Sequence, residues 1–115
     1  MNKKVVIVTG GRDYDDFAMV ADVLSAIQPD LVVQGGATGA DKLASDWAKY
    51  SDKTECITVN ADWNKYGAYA GPKRNIEMLE AYPEAMVVAF PGGKGTANCV
   101  KEAVKRNHIV LQVHK

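Results

Sequence analysis

The tightest constraint on the fold is an alternation along the chain. Short apolar, β-branched runs recur, and each is separated from the next by a stretch with helical spacing. Lys4–Thr9 (KVVIVT), Leu31–Gln34 (LVVQ), Glu55–Asn60 (ECITVN), Ala85–Phe90 (AMVVAF) and Ile109–Val113 (IVLQV) read as strands. Asp16–Ile27, Thr38–Tyr50, Gly71–Ala81 and Thr96–Arg106 read as helices. In the first, Phe17, Val20, Ala21, Val23, Leu24 and Ile27 fall at helical spacing before Pro29 stops the run, and Leu43, Ala44 and Trp47 share one side of the second. A strand that is apolar at every position buries both faces, and a helix between successive strands returns the chain to begin a parallel neighbour. The expected fold is therefore α/β, with a mainly parallel five-stranded sheet and helices on both faces. A chain of 115 residues suits one such core and leaves little room for a second.

Charge and composition exclude several function classes. Lys plus Arg (14) cancels Asp plus Glu (14), so no global positive field draws in a nucleic-acid backbone. No apolar stretch is long enough to span a bilayer, and MNKKVVIVTG lacks a signal peptide's long apolar region and cleavage site. No membrane partner is expected, and the expected location is the cytoplasm of a bacterium, or of the host if the chain is phage-encoded. Cys56 and Cys99 lack CxxC or Cys/His spacing and read as buried thiols. His108 and His114 have no nearby Asp, Glu or Cys pattern and read as structural or solvated. No metal site and no separate cofactor is implied.

In open parallel sheets, ligands bind beyond the carboxyl ends of the strands. Three glycine-containing turns fall there: Gly10-Gly11-Arg12, Gly35-Gly36-Ala37-Thr38-Gly39-Ala40-Asp41 and Pro91-Gly92-Gly93-Lys94-Gly95-Thr96. Any one is explained by ordinary turn chemistry, glycine supplying positive φ and Thr96 serving as a ready N-cap. Three at one sheet edge, with the helix start Gly71-Pro72-Lys73-Arg74-Asn75 facing the same way, read as walls of one anion-binding cleft.

Within that cleft Arg12 follows the first strand directly. It reads either as a phosphate or carboxylate clamp or as a surface residue paired with Asp13, Asp15 or Asp16. Asp41 either favours a helix dipole or accepts from a ribose. Arg74 and Asn75 sit beside the free N–H groups of a helix start, so Arg74→Ala is expected to weaken anion binding with little loss of stability; Lys73 is either a third cation or merely solvated. The one long connection, Asn60 to Gly71, offers Trp63, Tyr66 and Tyr69. Trp63 reads as loop core, and Tyr69 is the ligand candidate among the three. No Ser carries a nucleophile-elbow pattern and Cys99 lacks an evident base, so no catalytic residue stands out.

Taken together, VTGGRDYDD, VVQGGATGADKLASDWA, ADWNKYGAYAGPKRNIEML and VVAFPGGKGTANCV resemble the YspA-type branch of the SLOG superfamily, over nearly the whole chain. That superfamily includes the Lonely Guy phosphoribohydrolases and, more distantly, the DprA fold. The resemblance implies one Rossmann-like SLOG domain over residues 1–115 that binds a nucleotide or an NAD-derived molecule such as ADP-ribose. It makes Gly35–Asp41 and Pro91–Thr96 the phosphate and ribose walls and Arg12 and Arg74 the anion clamps. It also implies a homo-oligomer, with a dimer expected. The Lonely Guy pattern PGGxGTxxE carries a catalytic Glu, whereas here the corresponding place after Gly95-Thr96 is Asn98-Cys99. Glycosidic cleavage needs a carboxylate at the sugar. Asp41 and Glu102 are the remaining candidates, so a binder without chemistry is favoured over a phosphoribohydrolase or related N-glycosidase, and both over a DNA-handling protein.

Overall fold

The computed structural model describes residues 3–115. Five strands, β1 (Val5–Thr9), β2 (Leu31–Gln34), β3 (Glu55–Thr58), β4 (Met86–Ala89) and β5 (Val110–Gln112), form one sheet. The helices are α1 (Phe17–Ile27), α2 (Ala40–Lys49), α3 (Trp63–Tyr66), α4 (Ala70–Ala81) and α5 (Lys94–Lys105), with a 3-10 turn, Gly67–Tyr69, joining α3 to α4. Strand order is β3-β2-β1-β4-β5 and every pair is parallel. The expected α/β architecture is the one observed, and it is Rossmann-like.

The apolar runs explain the layering. All five residues of β1 are buried. Val6 and Val8 pack with Val20, Leu24, Ala40 and Ala44, which places α1 and α2 on one face. Val5 and Ile7 pack with Met78, Leu79 and Ala103, which places α4 and α5 on the other. Each edge strand has a single neighbour, and β3 and β5 are accordingly more exposed. The order reverses between β1 and β4, and that reversal opens a crevice at their carboxyl ends.

Helix boundaries depart from expectation where the cap chemistry is not the one assumed. Asp16 caps α1 as its spacing suggests, accepting from the Met19 N–H at 3.0 Å. In contrast, α2 starts at Ala40 rather than Thr38, because Gly39 is its cap at φ 75°. Thr96 is not a cap either. Gly93 is, and Thr96 lies inside the first turn of α5. The Asn60–Gly71 connection is largely helical, so α4 continues from the preceding 3-10 turn, with the Ala70 N–H donating to Gly67 O. His108 is buried with Nδ1 2.8 Å from Ala85 O, a structural role. Among the described residues no helix is long and apolar enough to cross a membrane.

Candidate functional site

Where β1 and β4 end, their backbones touch. The Gly11 N–H donates to Pro91 O at 2.9 Å, and the Ala40 N–H donates to Gly11 O at 3.1 Å. A Cβ on Gly10 would lie 2.5 Å from that of Ala40, and one on Gly92 would lie 2.6 Å from Gly11 N and collide with the Thr96 hydroxyl. These glycines are required by the approach of two strand ends. Gly93 and Gly95 are different: a Cβ there meets nothing within 4 Å, and neither has positive φ. Inside a helix, Gly costs up to about 1 kcal/mol relative to Ala. Packing gives Gly95 no reason to be glycine.

The open space beside Gly93 and Gly95 is a cleft of about 590 Å³. Its walls are Thr9 to Arg12 from the end of β1, Ala37 and Asp41 from the second turn, Trp63 from α3, Gly71, Arg74 and Asn75 from α4, and Gly93 to Thr96 with Asn98 from α5. A smaller cleft of about 310 Å³ adjoins it over the end of β2, lined by Gly35, Gly36, Thr38 and Asn60. Arg12, Ala37, Trp63 and Arg74 line both. Turns distant in sequence thus meet at one sheet edge. Tyr69 is exposed and lines neither cleft. Gly39 packs beneath Gly11 and Arg12, and Pro91 and Gly92 face a hollow between α5 and β5.

Local bonds position each side chain. Buried Gln34, at the end of β2, accepts from the Gly36 N–H and donates to the Thr58 hydroxyl, each at 2.6 Å, which fixes the second turn. Asp41 is 6% exposed, so it is no surface dipole partner. Its Oδ2 accepts from the N–H groups of Gly35 (3.2 Å) and Ala37 (3.3 Å). Burial raises the Asp41 pKa; those two N–H groups and the Arg74 and Arg12 guanidinium groups oppose the rise.

Arg74 reaches across to the same turn. Its Nη1 donates to Gly35 O at 2.7 Å and its Nε to Asn75 Oδ1 at 3.1 Å, leaving Nη2 as the nitrogen without a bond among the described residues. The helix that sequence opens at Gly71 begins one residue earlier, at Ala70, so Arg74 lies past its first turn. Lys73 pairs with Glu77 at 3.1 Å rather than facing an anion. Arg12 makes no ion pair with Asp13, Asp15 or Asp16 among the described residues; its guanidinium lies 5.7 Å from the centre of the Trp63 ring. Trp63 is 48% exposed and is a cleft wall, not loop core. Glu102 is turned to Arg106, which lowers its pKa. Cys99 is fully buried, and burial pushes its thiol up to about 11.

Residue patterns passed over Asn98 as a cleft wall and read Trp63 as loop core. For Asn98 a signal was present: it follows Gly95 by three residues, which on a helix is the same face.

A family model described as the YspA, cpYpsA-related SLOG family matches residues 4–66. The chain belongs to that SLOG family. A relative, the Gene 61 protein of Mycobacterium phage D29, is 38% identical over 112 residues, covering 87% of this chain and 88% of that protein. SLOG membership carries a nucleotide-related role in general terms. The matched stretch contains Arg12, the Gly35–Asp41 turn and Trp63, whereas Arg74 and the start of α5 lie beyond it.

Proposed function

We propose that this SLOG chain binds a phosphorylated nucleotide or nucleotide-derived molecule, of the ADP-ribose or NAD-derived kind, and senses or sequesters it without chemistry. The observation that carries this reading is the pair Gly93, at the N-cap of α5, and Gly95, in its first turn, both bare of side chain with no packing cause. Backbone N–H groups and the helix dipole favour an anion there, and bare glycine lets phosphate oxygens approach. Arg12 and Arg74 bring guanidinium groups to the same cleft, and the exposed Trp63 ring offers a surface for a base.

Binding is favoured over N-glycoside hydrolysis because both candidate carboxylates are engaged, Asp41 with two backbone N–H groups and Glu102 with Arg106. The proposed setting is bacterial or phage-infected cytoplasm, with one domain over residues 1–115. The proposed assembly is a homodimer, to be tested by light scattering.

Calorimetric titration of AMP, NAD and ADP-ribose, with chromatography of each mixture, tests the functional reading. Binding with no free base released is expected. Steady release of base that Asp41→Asn abolishes would replace this reading with hydrolysis.

A further inference from the structure

The amide of Asn98 faces the cleft with a fixed polarity, and a chain of bonds that begins elsewhere sets it. Arg74 Nε can only donate, and it donates to Asn75 Oδ1 at 3.1 Å. Asn75 is 4% exposed, and its other end is therefore Nδ2, which donates to Asn98 Oδ1 at 3.1 Å and to Gly95 O at 3.4 Å. Asn98 is left presenting Nδ2, with two N–H groups, as its free end. Nothing among the described residues accepts from that nitrogen, yet no buried side-chain nitrogen or oxygen lacks a partner. The free amide end is thus open, and Asn98 is a wall of the 590 Å³ cleft beside Gly95.

Resting on the reading that the cleft takes a phosphorylated molecule, we propose that Asn98 is a ligand-binding residue that donates through Nδ2 to a phosphoryl oxygen beside Gly95. Asn75 is its positioning residue, deciding which end of the Asn98 amide the ligand meets. Helical side chains lean toward the helix N-terminus, so Asn98 extends over the bare surface of Gly95, three residues earlier. A donor at that place complements the backbone N–H groups of the first turn of α5; an acceptor there would repel the same ligand oxygen.

Two substitutions separate this role from a purely structural one. Asn98→Asp keeps an oxygen for Asn75 Nδ2 and turns its second oxygen to the cleft. Asn75→Asp leaves Asn98 intact but gives it an acceptor to face, so the Asn98 amide turns over and presents Oδ1 to the ligand. With AMP and ADP-ribose as probes in calorimetry, each variant is expected to bind roughly tenfold to a hundredfold more weakly than wild type, the range for a hydrogen bond to a charged group. The melting temperature of Asn98→Asp stays near that of wild type. Asn98→Ala loses less than Asn98→Asp, and adding Asn75→Asp to Asn98→Ala weakens binding no further, because the two residues act through one contact.

Wild-type affinity in a folded Asn98→Asp overturns the contact while leaving the phosphorylated-ligand reading intact. Absence of binding by wild type itself overturns both. Should Asn75→Asp fail to fold, Asn98→Asp and Asn98→Ala alone decide.

Discussion

Asp41 is where burial and hydrogen bonding pull in opposite directions, and the balance is measurable. Burial is the larger influence and raises its pKa above the ordinary 3.8. A carboxyl that holds its proton more tightly when folded favours the fold at low pH. Stability relative to Asp41→Asn, whose oxygen can still accept from Gly35 and Ala37, therefore falls as pH rises from about 3.8 through the raised folded value, then levels off. Denaturant melts of both proteins from about pH 3 to pH 7 check this; a wild type that gains on the variant with rising pH contradicts it. Arg74→Ala is expected to weaken phosphorylated-ligand binding by about 1.5–3 kcal/mol and also to cost about 1 kcal/mol of stability, because its bond to Gly35 O ties α4 to the second turn. Sequence placed Arg74 at the cleft but not that bond, which spans 39 residues. Thiol labelling gives a third check. Cys99, with its thiol near 11 and fully buried, stays unreactive in native protein while half-buried Cys56 labels first, and both label in denaturant.

At the scale of elements, the strands were legible because β1, β2 and β4 are buried on both faces and so carry no polar alternation. What sequence could not reveal was which glycines serve packing. Gly10, Gly11, Gly92 and Gly93 look alike in a string, yet three of them lie where two strand ends press together and the fourth faces open space. Gly92→Ala and Gly10→Ala are expected to destabilise the fold by about 1–3 kcal/mol through overpacking, whereas Gly93→Ala meets no atom and costs only the weaker capping of α5, about 1 kcal/mol or less. Thermal melts of the three read this directly. The starts of α2 and α5 were misplaced for a related reason: sequence began one helix at Thr38 and capped the other with Thr96, but Gly39 and Gly93 hold the cap positions. Trp63 was misjudged because an aromatic in a loop is commonly its core, while here the loop is helix and the ring lies open against Arg12.

For the whole molecule, the parallel order β3-β2-β1-β4-β5 converts local turns into one site. Reversal between β1 and β4 sets the first and third turns side by side, and α4 swings Arg74 over the second. A chain with no net charge thereby gathers Arg12, Arg74 and the start of α5 around a single cleft. The central claim is that Gly95 is glycine for a ligand's sake and not for the fold's. Its most direct test is the affinity of ADP-ribose for wild type and Gly95→Ala, measured by calorimetry on samples whose melting temperatures are known. Wild type is expected to bind and Gly95→Ala to bind at least about tenfold more weakly, with a melting temperature equal or higher because Ala suits a helix better. Equal affinity in the two proteins would contradict it.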